Sequence, residues 1–295
     1  MDIDGKSESE AGAWPRITVV TPVFNQARYI EQTIRSILDQ SYPNLEYIII
    51  DGGSTDGTVD LIRRYADRVA HWVSETDQGM YDAINKGFAG STGEIMAWLN
   101  ADDLYLPYTL RTVARVFLDI PSVSWVSTRV PVIVNENGEA TEIYRREGYC
   151  RTWFRRGWHL DLHPKSKGTI MQEGTFWRRS LWQQTGGRVR SDLAMAGDYE
   201  LWSRFWNAAD LVTLDIPLAC FRRHAGQKTV RLAEYVAEAT QACPPVIDQP
   251  QPRTGWRRLV ARGEPATSNA EDGSWVAAYD TRKRVWTMQR VPCPV

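Results

Sequence analysis

Three short apolar runs, each followed by a polar loop and then a helical pattern, constrain this chain more than any other feature. Ile17-Thr18-Val19-Val20-Thr21-Pro22-Val23 is β-branched and apolar. Leu45-Glu46-Tyr47-Ile48-Ile49-Ile50 ends at Asp51, and Glu94-Ile95-Met96-Ala97-Trp98-Leu99 runs into Asn100-Ala101-Asp102-Asp103. Apolar runs of this length, bounded by Gly, Pro and polar residues, read as buried strands. Ile30, Ile34, Ile37 and Leu38 recur at helical spacing, which predicts an amphipathic helix over 27–40. A strand over 69–73 and a helix over 79–89 continue the alternation. Strands alternating with helices predict βαβ units and a parallel sheet with right-handed crossovers, an α/β fold.

Ligands of open α/β sheets bind outside the carboxyl ends of the strands, so the loops there are the first place to look for chemistry. Asp102 and Asp103 end the run at Leu99. Paired carboxylates there are hard oxygen ligands suited to Mg2+ or Mn2+. The same Asn100-Ala101-Asp102-Asp103 could equally cap the next helix. Pro22, Phe24 and Asn25 end the first run, where a ring, an amide and open backbone could clamp a nucleobase or simply form a loop. Asp51 could accept hydrogen bonds from a base or ribose. The glycines of Gly52-Gly53-Ser54-Thr55-Asp56-Gly57 allow close backbone approach. Asp82 and Lys86, four apart after Gly79, share a helix face. They are a surface ion pair on one reading and a phosphate contact near a helix N-terminus on the other.

Composition removes several alternatives. A net charge of −1 gives no global basic field for nucleic acid. The four cysteines are far apart in sequence and form no Cys-x-x-Cys pair, so neither zinc nor a disulfide framework is expected. Residues 1–15 read as an acidic, disordered tail and not as a signal peptide. No stretch is long and apolar enough for a membrane span, which makes the cytoplasm the default and leaves peripheral membrane contact open. The thirteen tryptophans suit a core, with some free to line a groove for sugar or lipid.

Taken together, four segments resemble glycosyltransferase family 2. They are Thr21-Pro22-Val23-Phe24-Asn25, the loop from Asp51 to Thr58, Glu75-Thr76-Asp77-Gln78-Gly79-Met80-Tyr81-Asp82-Ala83-Ile84-Asn85-Lys86-Gly87, and Asn100-Ala101-Asp102-Asp103. Gly174-Thr175-Phe176-Trp177-Arg178-Arg179, Gly186-Gly187, Gly197-Asp198-Tyr199-Glu200-Leu201-Trp202 and Phe221-Arg222-Arg223-His224-Ala225-Gly226-Gln227-Lys228 extend the likeness, so that it covers 17–230. The resemblance implies a GT-A-type fold: a Rossmann-like mixed sheet flanked by helices. It implies that Pro22, Phe24, Asn25 and Asp51 surround the base of a nucleotide sugar. Gly79, Asp82 and Lys86 would lie near its ribose, sugar or phosphates. Asn100, Asp102 and Asp103 would form the diphosphate site, with Asp102 and Asp103 on the metal. Asn100 stands where the family often has Asp, and a neutral amide is the weaker ligand.

The second half of the chain carries the remaining candidates. Asp198 precedes the apolar helical pattern of Tyr199, Leu201, Trp202 and Phe205. It suits an N-cap, whereas the resemblance makes it the general base that deprotonates an acceptor hydroxyl. Glu200, half a helical turn on, would point elsewhere. Arg222, Arg223, His224 and Lys228 form a basic cluster after an expected strand over 211–220, placed by the resemblance over the diphosphate or the acceptor. Over 144–168, basic residues interleave with aromatics, either as an acceptor or membrane wall or as arginine stems packed on rings. The expected organisation is a tail over 1–15 and a transferase domain over 16–243, followed by a linker and small β appendage over 244–295. The donor half of that domain would be 16–110 and the acceptor half 111–243. The function expected is metal-dependent inverting transfer from a nucleotide sugar, UDP-linked, to a saccharide or lipid-linked hydroxyl. A nucleotidyltransferase or a non-catalytic nucleotide-sugar-binding module is the alternative.

Overall fold

The computed structural model describes residues 14–246 and 273–293. The tail over 1–13 and the stretch 247–272, with its expected proline-rich linker and Trp256, lie outside the described residues. Strands β1 (Ile17–Val23), β2 (Leu45–Asp51), β3 (His71–Ser74) and β4 (Ile95–Trp98) form the first half of a large sheet. All four are parallel, with β2 on one side of β1 and β4 on the other. The chain therefore reverses its direction across the sheet between β1 and β4, and a crevice opens at their carboxyl ends. β1 and β4 are buried along their whole length, as near-continuous apolar runs in a covered parallel sheet must be.

Helices α1 (Ile30–Leu38), α2 (Thr58–Arg63) and α3 (Met80–Ala89) make the crossovers. α1 buries Ile30, Ile34, Ile37 and Leu38, the spacing read from the sequence, against Val19, Val23 and Ile49. α3 lies on the opposite face, where Ile84 and Phe88 meet Val20 and Trp98. A Cβ on Gly87 would lie 2.6 Å from Val20 Cγ1, so only glycine lets α3 come this close to β1.

Beyond β4 the chain forms β5 (Leu104–Tyr105), α4 (Thr109–Asp119), β6 (Trp125–Thr128), β7 (Val132–Val134), β8 (Ala140–Ile143) and α5 (Arg151–Arg155). It continues through β9 (Thr175–Arg178), α6 (Arg179–Gln184), α7 (Gly197–Ala208), β10 (Val212–Leu214), β11 (Ala219–Arg222) and α8 (Leu232–Ala242). β9 inserts antiparallel between β4 and β6, which makes the sheet mixed. A second sheet has the order β5-β11-β7-β8. The single strand expected over 211–220 is two strands in different sheets. Pro217 lies between them, and a residue without an N–H interrupts a ladder.

The last hairpin, β12 (Gly273–Asp280) and β13 (Val285–Pro292), is not a separate appendage. β12 pairs in parallel with β10 and extends the main sheet, and Ala277 and Trp286 join its core. The tryptophans are packing residues: Trp98, Trp125, Trp177 and Trp202 are fully buried, with Trp98 and Trp202 stacked at 5.8 Å. None of the described tryptophans is exposed. Among the described residues no helix is long and apolar enough to cross a membrane.

Candidate functional site

The loops after β1 and β2 are laced together. Asn25, in the left-handed region at φ 51°, donates its N–H to Ser54 Oγ (2.7 Å), and its Oδ1 accepts from the Thr55 N–H (2.9 Å). Ala27 N–H reaches Asp56 Oδ2 at 3.0 Å. Asp51 is fully buried. Its Oδ2 accepts from Gly53 N, Ser54 N and Ser74 Oγ, and its Oδ1 from Ser54 Oγ. In this arrangement Asp51 organises the loop, and a base edge would have to compete with Ser54 for it. Pro22 is buried in β1 opposite Ile50, while Phe24 is 59% exposed at the rim with its ring open to a ligand. A Cβ on Gly52 would meet Asp77 Oδ2 at 2.7 Å, so this loop touches the segment that leads into α3.

Gly79, at φ 112°, opens α3. Its N–H donates to Asp77 Oδ1 (2.8 Å), and Asp82 Oδ2 accepts from the Gln78 N–H (3.1 Å). Lys86 Nζ pairs with Glu75 at 2.9 Å and with Asp82 at 3.4 Å. The lysine is thus shared between two carboxylates, and a phosphate would have to displace one of them.

The two aspartates after β4 have different environments. Asp103 is 2% exposed, and its Oδ1 accepts the Arg222 N–H at 2.9 Å. Burial, reinforced by the charges of Asp102 and Glu173, pushes its carboxyl well above the usual range. Asp102 lies nearer the surface and meets His224 Nε2 at 3.0 Å. The buried Arg222 guanidinium fixes this turn, donating to Asp102 O (2.6 Å), Gln32 Oε1 (2.8 Å) and Glu136 O (3.1 Å). Asn100 Nδ2 donates to Gln172 Oε1 (3.2 Å). Asn100 Oδ1 is buried with no donor among the described residues.

These groups fit a divalent cation in one respect. The partly exposed Asp102 carboxylate and the largely buried His224 Nε2 form an oxygen–nitrogen donor pair, with the unpartnered Asn100 Oδ1 in the same turn as Asp102. Among the described residues no group of three His, Cys, Asp or Glu is placed to hold a metal. A cation here would therefore take its remaining ligands from phosphate oxygens and water, as Mg2+ commonly does.

Asp198 sits in the first turn of α7 and is only partly exposed. Its Oδ1 accepts from Tyr199 N–H (2.8 Å) and from Tyr235 Oη (3.2 Å). Burial pushes its carboxyl up to about 6, and the nearby Glu238 charge adds to the effect, while the two hydrogen bonds oppose it. Tyr81 of α3 accepts the Gly197 N–H at 2.9 Å and donates to Met195 O, which ties the donor-side helix to the head of α7. Glu238 of α8 accepts the N–H groups of Ala194, Met195 and Ala196 at 2.8, 2.7 and 2.6 Å. α8 thus supplies both the hydroxyl on Asp198 and the clamp on the loop before it. Sequence reading missed Tyr235 and Glu238; their i, i+3 spacing was visible, but their partners lie in another segment. Glu200 points away, paired with Arg204 at 2.9 Å.

The basic cluster disperses. Arg222 is interior, Arg223 pairs with Glu142, and His224 joins Asp102. Lys228 donates to Ala194 O (3.2 Å). Burial lowers its basicity against the opposing charges of Glu238, Asp198 and Asp77. In the 144–168 stretch Tyr149, Trp153, Phe154 and Trp158 are buried. Lys167 lies 4.8 Å from the Trp153 ring, and Lys165 5.0 Å from the Trp158 ring. These cations cover buried rings, as arginine and lysine stems packed on aromatics do, while Tyr144 of the same stretch is 39% exposed.

A model of Glycosyl transferase family 2 matches residues 18–180, more than half the chain. This chain belongs to glycosyltransferase family 2. Among family members it is 30% identical to the PGL/p-HBAD biosynthesis glycosyltransferase of Mycobacterium bovis over 220 residues, 72% of this chain and 79% of that one. Two solved structures share its fold. One is S. aureus TarS 1–349 in complex with UDP-GlcNAc, with a TM-score of 0.57, 15% identity, and 78% of this chain and 68% of that one covered. The other is the mannosyltransferase PcManGT of Pyrobaculum calidifontis in complex with GDP-Man and Mn2+, with a TM-score of 0.57, 22% identity, and coverage of 78% and 63%. Both likenesses place this family 2 chain in the GT-A architecture. The matches span from 29% to 66% of the length of the first six curated relatives.

Proposed function

We propose that this protein is an inverting glycosyltransferase. It moves a sugar from a nucleotide-sugar donor, UDP-linked, to a hydroxyl of a saccharide or lipid-linked acceptor, in the biosynthesis of a cell-surface polysaccharide or glycolipid. The observation that carries the reading is Asp198: a partly exposed carboxyl raised to about 6 and oriented by Tyr235, at the head of α7 that Tyr81 ties to the donor-side helix α3. A sugar hydroxyl is a poor nucleophile near neutrality. A carboxylate with a pKa near 6 is ionised there and is a stronger base than an ordinary aspartate. As attack proceeds, Asp198 takes the hydroxyl proton. The nucleoside diphosphate leaves from the opposite face of the anomeric carbon, so the configuration inverts in one displacement.

Phe24 and the laced loops after β1 and β2 receive the base, and Gly79 and the head of α3 lie beside the ribose and phosphates. Asp102 and His224 would hold a Mg2+ or Mn2+ ion, which supplies positive charge to the departing diphosphate. The UDP-GlcNAc bound by TarS and the GDP-Man and Mn2+ bound by PcManGT support the donor class and the ion. The test is release of nucleoside diphosphate from a panel of UDP-, GDP- and dTDP-sugars with saccharide and glycolipid acceptors. Turnover by the wild type and its loss by about 10²–10⁴-fold in Asp198→Asn is expected from removing a general base. Near-normal turnover in that variant would remove Asp198 from the role.

A further inference from the structure

Glu173 is a buried carboxyl that the mechanism above does not use. It sits in the short 3-10 turn Gln172–Gly174 that leads into β9 and is 4% exposed. The turn is rigidly placed. Gln172 Nε2 donates to Trp98 O at 2.8 Å, and Thr175 Oγ1 to Met171 O at 2.6 Å. A Cβ on Gly174 would lie 2.5 Å from Thr128 Cγ2, so the backbone is pressed against β6. The Glu173 carboxyl nevertheless receives no hydrogen bond from any other described residue; its own N–H is its only donor. The cation that opposes this burial is Arg146, whose guanidinium is turned to Thr169 O and the Tyr144 hydroxyl.

A carboxyl this deeply buried that takes no donor from a neighbouring side chain is open to a ligand hydroxyl, and Gln172, the residue before it, holds Asn100 at the end of β4. Burial pushes the Glu173 carboxyl up to about 7, and the charges of Asp198 and Asp102 push in the same direction. Asp103 feels the Glu173 charge in turn. Glu173 therefore lies within electrostatic reach of both the base and the diphosphate side of the crevice. In a single displacement the transferred sugar ring occupies the space between those two groups.

We propose that Glu173 binds a hydroxyl of the transferred sugar and helps choose among donors that carry the same nucleotide. This rests on the nucleotide-sugar reading above. The carboxyl accepts a hydrogen bond from the sugar hydroxyl and satisfies an acceptor the protein leaves open. A sugar whose hydroxyl points the other way leaves that carboxyl unpaired, and such mismatches are penalised more than simple loss of a contact.

Calorimetry with UDP and with the epimers UDP-glucose and UDP-galactose, or with GDP, GDP-mannose and GDP-glucose if guanosine is the base, separates the outcomes. In Glu173→Gln, UDP affinity is expected within about twofold of wild type, affinity for the preferred sugar nucleotide to fall about tenfold, and the epimer preference to flatten. Retained UDP binding certifies the fold; Glu173→Asp, which keeps the carboxyl, should preserve more of the preference. Unchanged epimer preference in Glu173→Gln overturns the assignment while leaving the transferase reading intact. Loss of UDP and sugar-nucleotide binding together, with a lowered melting temperature, makes Glu173 a packing residue and also overturns it. A wild type that binds no nucleotide removes the transferase reading, and this assignment with it.

Discussion

Replacing Asp198 by Asn should make the protein more stable and inactive at the same time. The folded protein holds this carboxyl at about 6, raised from 3.8 chiefly by burial. A raised carboxyl pKa means that the folded state binds the proton more tightly than the unfolded chain. Its stabilising effect is complete below about 4 and is lost as the pH rises to about 6. Above that, the charged form costs about 3 kcal/mol at 1.36 kcal/mol per decade of acidity. Water at the partly exposed edge relieves some of this, so about 1–2 kcal/mol should be recovered by the neutral amide at pH 7.5. The Asn side chain also keeps an oxygen for the Tyr199 N–H. Denaturant unfolding of both forms at pH 4, 6 and 8 reads the effect, and the difference should be near zero at pH 4 and largest at pH 8. The wild-type kcat/KM should also fall on the acid side with a midpoint near 6. A variant less stable than wild type at pH 8, or an acid limb far below 6, would refute the burial argument.

Other consequences follow from the same contacts. Arg222→Met should cost about 3–5 kcal/mol, because the carbonyls of Asp102 and Glu136 lose a buried cation, read as a drop in the denaturant midpoint. Glu238→Ala frees three N–H groups ahead of α7 and should cost about 1–3 kcal/mol, with a larger fall in kcat than in nucleotide affinity. Burial would raise the Glu238 carboxyl, but those three N–H groups hold it below its ordinary range, so its stabilisation is present above that range and fades in acid. Gly87→Ala forces a methyl onto Val20 and should cost about 1–3 kcal/mol by overpacking, seen as a lower melting temperature.

The elements that sequence reading recovered are those whose signal is local. β1, β2 and β4 are continuous apolar runs, and α1 carries its buried face at 3.6-residue spacing. The turn Asn135-Glu136-Asn137-Gly138 that joins β7 to β8 is equally local, a run of residues suited to tight turns. What failed to read depends on distant partners. Whether Asp102 or Asp103 faces the crevice is set by Arg222, about 120 positions along the chain. Asp51 reads as a free carboxylate until Ser74 and the loop amides are seen around it. The cations of 144–168 suggest a binding surface in sequence because nothing local says that Trp153 and Trp158 belong to the core. Sheet membership is likewise invisible: β12 has the pattern of an isolated hairpin strand, and only its pairing with β10 makes it an edge of the main sheet.

On the proposed function, the crevice between β1 and β4 binds a nucleoside diphosphate through Asp102. Calorimetric titration of UDP, GDP and dTDP, with Mn2+ and with EDTA, tests it on wild type, Asp102→Ala and His224→Ala. One nucleotide, UDP, is expected to bind in the presence of Mn2+, more weakly by at least about tenfold in EDTA and in both variants, since each loses a charge-assisted contact. Absence of binding by all three nucleotides would contradict it. The carboxylates after β4 would then be caps and clamps of the fold alone.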